Sequence, residues 1–149
     1  MQIEKLQQLS GEVLNELMGV WENSVRSSHH FLKEEDIEYF RPLIRNQYFF
    51  AVELFAIRNE KGRIAAFMGL SEDKIEMLFV LQEEQGKGYG KALVEYAVKE
   101  FGIRKVDVNE DNGQACRFYL RMGYEVIGRD DTDSSGKPFP ILHLRRTSK

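Results

Sequence analysis

One cysteine in 149 residues leaves no partner for an internal disulfide, so Cys116 stands alone. A single thiol fits a reducing compartment. No run of about 18 apolar residues occurs, and no segment reads as a transmembrane helix. The opening MQIEKLQQLS has no apolar core of the kind a secretory signal needs, which makes cytoplasm the expected compartment. Basic residues are not in excess: 21 Lys and Arg stand against 24 Asp and Glu, a net charge of −3. A nucleic-acid partner wants a basic face that this composition does not supply. A cationic amine is better matched to the charge. Internal repeats, low-complexity segments and linker-like stretches are also absent. Residues 1–149 therefore read as one domain, long enough to bury a real core.

Two phosphate-binding signatures are missing as well. No Gly-Lys-Ser/Thr tripeptide exists for a P-loop. A dinucleotide fingerprint needs glycine at its first, third and sixth positions, and counting from Gly86 the sixth is Lys91. What is present is IEMLFVLQEEQGKGYG, from Ile75 to Gly90. An apolar, strand-like run ends in an acidic turn. Glycines at 86, 88 and 90 follow, then the amphipathic stretch KALVEYAVKEF. Such glycines let backbone approach a ligand and leave N–H groups free at a helix N-terminus. That arrangement favours an anion, most often a phosphate.

The rest of the chain supplies the surrounding elements. Residues 2–6 read as a short strand, and Ser10 caps a helix carrying Leu14, Leu17, Met18, Trp21 and Val25 on one face. A break follows at 27–32, then a helix over 33–45 interrupted near Pro42. Residues 49–58 and 63–70 form a hairpin about the turn Asn59-Glu60-Lys61-Gly62. Strand 75–81, the glycine loop and a helix ending at Phe101-Gly102 come next. Residues 105–108 alternate as a strand, and Asn112 is a good N-cap. Ala115, Cys116, Phe118, Tyr119 and Met122 recur at helical spacing up to the stop at Gly123. Strands at 124–127 and 141–146 flank a polar loop over 130–140. The order βααβββαβαββ predicts an α/β fold, a mixed sheet with helices on both faces.

Gln85-x-x-Gly88-x-Gly90 directly after a strand resembles the pyrophosphate loop of the GNAT acetyltransferase superfamily. Asn112, Tyr119 and the pair Gly123-Tyr124 are similar to a second block of that family, in the right order. The segments SVRSSHHFL and GKPFPILHL resemble those of a small bacterial subgroup. The element order is that of the whole GNAT fold. The resemblance implies an N-acetyltransferase that moves an acetyl group from acetyl-CoA directly to a primary amine, with no metal expected. A non-catalytic acyl-CoA-binding sensor on the same fold is the alternative.

Site residues follow from the same resemblance. The loop Gln85, Gly86, Lys87, Gly88, Tyr89, Gly90 and Lys91 would grip pyrophosphate, and backbone of Phe79 and Val80 would pair with the pantetheine arm. Asn109 and Asn112 fall on the cofactor side. Tyr119 would donate a proton to the departing thiolate, as a phenol protonated at neutral pH can. For amine deprotonation there are two candidates. Glu76 shares a period-two strand face with Lys74, Leu78 and Val80, and His29 lies in the loop between the first two helices. A small-molecule amine is the expected acceptor and a protein amine the other. Neither nucleic acid nor membrane is expected as partner, and the protein is expected to be a monomer or homodimer.

Overall fold

A computed structural model of the chain describes residues 1–147. Its elements run β1 (Ile3–Leu6), α1 (Gly11–Ser28), α2 (Glu34–Asn46), β2 (Glu53–Arg58), β3 (Ile64–Leu70), β4 (Lys74–Val80), α3 (Tyr89–Phe101), β5 (Lys105–Asn109), α4 (Gly113–Arg121), β6 (Tyr124–Asp130) and β7 (Ile141–Arg146). Short 3-10 turns sit at Tyr48–Phe50 and Gln82–Glu84. The strands form one sheet in the order β1-β2-β3-β4-β5-β7-β6. Every neighbouring pair is antiparallel except β4 and β5, which run parallel. The α/β class and mixed sheet expected from the element order are present.

Four local expectations need correction. Pro42 does not interrupt α2, which continues from Glu34 to Asn46. Pro42 and Glu38 are both exposed, so water can reach the Glu38 carbonyl that loses its helical donor. Phe49 starts no strand. Its ring is fully buried and edge-on to Phe67, which folds 48–50 into a 3-10 turn and delays β2 to Glu53. Helix α1 runs through Ser28, where the hydroxyls of Ser27 and Ser28 both donate to the Ser24 carbonyl. Strand β6 extends to Asp130, absorbing an irregularity between Val126 and Gly128.

Alternation along the strands sends one set of side chains to each face of the sheet. Phe55, Ala66, Met68, Ile75 and Val106 pack with Leu93, Val94 and Ala97 of α3 and Tyr119 of α4. Leu54, Ala56 and Phe67 pack on the other face with Leu17, Trp21 and Val25 of α1 and Ile37 of α2. Ser10 begins α1 as the pattern predicts, its Oγ accepting from the Val13 N–H at 3.2 Å.

The site is positioned by an incomplete pairing. Strands β4 and β5 match in register only at Lys74–Lys105 and Ile75–Val106. On its other edge β4 carries a bulge: Leu70 lies opposite Ile75 and Gly69 opposite Met77, leaving Glu76 as the extra residue. A bulge bends and twists its strand, here where β4 parts from β5. Beyond Ile75 the two strands diverge and a gap opens through the sheet.

Candidate active site

A cavity of about 410 Å³ fills that gap and is lined from both faces of the sheet. Tyr89, Gly90, Ala115, Phe118 and Tyr119 line it from the α3/α4 side, and Ser24, Ser28 and His29 from α1. Its walls include Glu76 to Val80 of β4 and Val106 to Asn109 of β5. Of the residues singled out in the sequence, Glu76, Phe79, Val80, Gln85, Gly86, Gly88, Tyr89, Gly90, Lys91, Asn109, Asn112, Tyr119 and His29 all line it. Lys87 does not. Its Nζ turns back to Glu84 Oε1 at 2.8 Å. Glu84 is buried and also accepts from Asn59 Nδ2 at 3.2 Å. The Lys87 ammonium, and then Asn59, hold the Glu84 carboxyl below its usual range. The acid nearest the loop is thereby neutralised, and the charge expected from Lys87 is spent on it.

The glycine loop is built for close approach. Gly86 and Gly88 have φ of 83° and 86°, a left-handed conformation that side chains resist. The first bond of the α3 ladder at this end runs from the Ala92 N–H to the Gly88 carbonyl. The N–H groups of Tyr89, Gly90 and Lys91 precede that ladder and suit an anion. A Cβ on Gly90 would meet Phe118 Cζ at 3.4 Å and Val80 Cγ2 at 3.9 Å, so this glycine lets α3 close on α4 and β4.

The β4 backbone divides between its two neighbours. The Leu81 N–H donates to the Ala65 carbonyl at 2.9 Å. By antiparallel alternation the groups of Phe79 also face β3, while those of Leu78 and Val80 face the gap. The Val80 carbonyl accepts from Gln85 Nε2 at 3.3 Å. The main-chain groups of β4 that face the gap are therefore those of Leu78 and Val80; those of Phe79, expected to be open as well, are taken up by β3.

Tyr119 is 4% exposed, packed edge-on against Phe118 and Tyr124. Its hydroxyl makes no hydrogen bond among the described residues. Burial, with Tyr124 beside it, raises its pKa above that of an ordinary phenol, so the group is a protonated donor at neutral pH. Cys116 does not line the cavity, and burial raises its thiol pKa, which leaves it no nucleophilic role.

The bulge also changes the setting of Glu76. Ile75, Leu78 and Val80 join the α3/α4 cluster, whereas Met77 and Phe79 join the α1/α2 cluster. Glu76 is exposed at the bulge, accepts from Ser71 Oγ at 2.8 Å, and stands near enough to Lys74 to affect its ammonium. The face expected to hold Glu76 with Leu78 and Val80 is split. Across the gap Asp107, a residue not singled out from sequence, lines the same cavity. Its oxygens take Lys74 Nζ at 2.8 Å and His143 Nδ1 at 2.7 Å. His143 Nε2 reaches Asp130 at 2.7 Å, and the two carboxylates, Asp107 first, raise the imidazole pKa above its ordinary value. The alternation of Lys105, Val106, Asp107 and Val108 was the available signal, since it turns Asp107 away from the core beside the gap.

His29 lies at the C-terminus of α1 with its ring against Phe31 and Phe79, at centroid distances of 5.4 and 6.3 Å. Nδ1 is 2.8 Å from Ser28 Oγ and Nε2 is 3.3 Å from Asn112 Nδ2. Burial, then the adjacent His30, pushes its pKa down to about 4. Asn112 is itself buried, and its Oδ1 caps α4 by accepting the Ala115 N–H at 3.1 Å.

A mixed sheet parted between two parallel strands, with a glycine loop and a buried tyrosine at the gap, matches known proteins. A family model described as an acetyltransferase (GNAT) domain matches residues 46–126. Peptidyl-lysine N-acetyltransferase YjaB of Escherichia coli (strain K12) is 36% identical over 129 residues, 87% of each chain. The solution structure of apo-form YjaB from Escherichia coli has a TM-score of 0.87 at 32% identity and covers 100% of both chains. PaiA N-acetyltransferase from Thermoplasma acidophilum, solved in complex with coenzyme A, shares the fold with a TM-score of 0.70 at 21% identity, over 98% of this chain and 99% of that one. The chain belongs to the GNAT acetyltransferase family. Among the described residues no helix is long and apolar enough to cross a membrane.

Proposed function

We propose that the protein acetylates the ε-amino group of protein-bound lysine, taking the acetyl group directly from acetyl-CoA. The observation that carries this reading is the polarity of one cavity. The N–H groups of the glycine loop and Lys91 line it beyond the end of β4, and Glu76, with Asp107 held by Lys74 and His143, lines it beside the β4–β5 pairing. An anionic donor and a cationic acceptor would enter from opposite ends of the cavity and meet between β4 and β5. The name of the YjaB relative supports a peptidyl lysine over the small amine expected from the sequence. The likeness of fold to a coenzyme A complex is consistent with the donor.

Each group then has a task. The N–H groups of Leu78 and Val80, left unpaired by β5, hold the pantetheine arm and polarise the thioester carbonyl. Glu76 attracts the lysine ammonium while Asp107 holds the competing Lys74 cation, and Glu76, open to solvent, passes the acceptor's proton to water. The freed lone pair attacks the carbonyl carbon and the C–S bond breaks. Tyr119 gives the thiolate its proton and is reprotonated from solvent through the cavity. The transfer is read as direct, with no acyl-enzyme: Cys116 lies off the cavity, and the Ser28 hydroxyl is already given to the Ser24 carbonyl.

Removing either acceptor-side charge tests the reading. Glu76→Gln and Asp107→Asn should each raise KM for a lysine peptide about 2- to 5-fold, the range of a partly exposed ion pair. Acetyl-CoA affinity, measured by calorimetry, should stay at the wild-type value. Unchanged peptide KM in both variants would refute the assignment of this end of the cavity.

A further inference from the structure

We propose that His29 is a positioning residue that holds Asn112 through a hydrogen bond across the mouth of the β4–β5 gap, and that it serves the cofactor half of the site. The inference rests on the reading of that cavity as the acetyl-CoA site and departs from the expectation of His29 as a base.

The hydrogen-bond chain has one consistent direction. Asn112 Oδ1 accepts the Ala115 N–H, which fixes the amide so that Nδ2 points at His29. An amide nitrogen only donates, so His29 Nε2 must be the acceptor and carry no proton. The neutral ring then bears its proton on Nδ1 and donates it to Ser28 Oγ. Ser28 is free to accept, because its own hydroxyl proton goes to the Ser24 carbonyl at 2.8 Å. Each contact in the chain joins a donor to an acceptor, from the last turn of α1 to the first turn of α4.

The geometry says what this bond closes. His29 leans on Phe79 near the end of β4. Asn112 follows the end of β5, its N–H donating to the Asn109 carbonyl. At the other end the gap is shut by the paired registers at Lys74 and Ile75. The His29–Asn112 bond therefore shuts the end where the strands stand apart and turns a cleft into a window of fixed size. A protonated ring would face the Asn112 amide donor-to-donor and break the frame. The apolar clasp of Phe31 and Phe79 disfavours that charge, so the neutral acceptor state persists. With its lone pair already engaged, Nε2 is not available to take a proton from an amine.

Two readouts on the full-length protein test this. Nitrogen-15 histidine spectra of the cofactor-free protein should show His29 as the Nδ1–H tautomer, with no protonation near the ordinary histidine pKa of about 6.5. Calorimetry with coenzyme A should show His29→Ala and Asn112→Ala each weakening affinity about 5-fold, the worth of one net hydrogen bond. The double variant should be no weaker than the singles. His29→Gln, whose amide oxygen can stand in for Nε2, should recover most of the affinity, and the acidic limb of the pH–rate profile should be unchanged in all of them. An Nε2–H tautomer, or titration near the ordinary value, would overturn the proposal. So would wild-type coenzyme A affinity in His29→Ala with the acidic limb lost. If the wild-type protein bound no coenzyme A, the cavity reading would fail, and the tautomer would still decide whether the His29–Asn112 bond exists.

Discussion

Replacing Tyr119 with phenylalanine should lower kcat by about 10²- to 10⁴-fold, the usual contribution of a positioned general acid. The change is clean for a structural reason. The ring does the packing against Phe118 and Tyr124, and Phe keeps the ring. The hydroxyl has no hydrogen-bond partner among the described residues, so removing it strands no buried donor or acceptor. Folding and coenzyme A affinity should stay near wild type, checked by thermal melting and calorimetry. Because burial raises the Tyr119 pKa above that of an ordinary phenol, its ionisation should not shape the pH–rate profile near neutrality. A Phe variant that turns over at the wild-type rate would make Tyr119 a core residue and leave the thiolate to be protonated by water.

Replacing Gly88 with valine should abolish measurable coenzyme A binding. At a φ of 86° a β-branched residue is strained, so the loop must shift from its present path. Nothing in the protein lies within 4 Å of a Cβ placed there, so the new side chain meets no protein atom and obstructs only what approaches the loop from outside. Strain and steric block must be told apart, and Gly102 provides the control. It has a φ of 65° at the far end of α3 and an equally open Cβ position, and it does not line the cavity. Gly102→Val should lose comparable stability while keeping coenzyme A affinity. Equal binding by Gly88→Val and wild type, measured by calorimetry on folded protein, would remove the glycine loop from the donor site.

The architecture was legible wherever a pattern was local. Periodicity located the helices and strands, Ser10 and Asn112 capped the helices they precede, and Gly102 ends α3 with a φ of 65°. What the sequence concealed depends on contacts between distant segments. The bulge at Glu76 arises from the pairing of β4 with β3 and breaks a period of two that looks regular in sequence. The His29–Asn112 bond joins residues 83 positions apart, and the Asp107–His143 bond residues 36 apart. Neither partner marks itself as such. Lys87 looked free because nothing local shows that Glu84 is buried beneath it. Pro42 misled through the opposite fault, a strong local rule relaxed because that side of α2 faces solvent.

The most direct measurement of the central claim is the fate of the acetyl group. The protein is incubated with acetyl-CoA and a lysine peptide, or with a panel of small amines, and the products are followed by mass spectrometry while released thiol is counted. The account predicts acetyl groups on lysine ε-nitrogen, one thiol for each, with turnover of the peptide exceeding that of the free amines. Coenzyme A binding with no acetylated peptide and no thiol release would contradict it, and would make the protein a sensor built on an acetyltransferase fold.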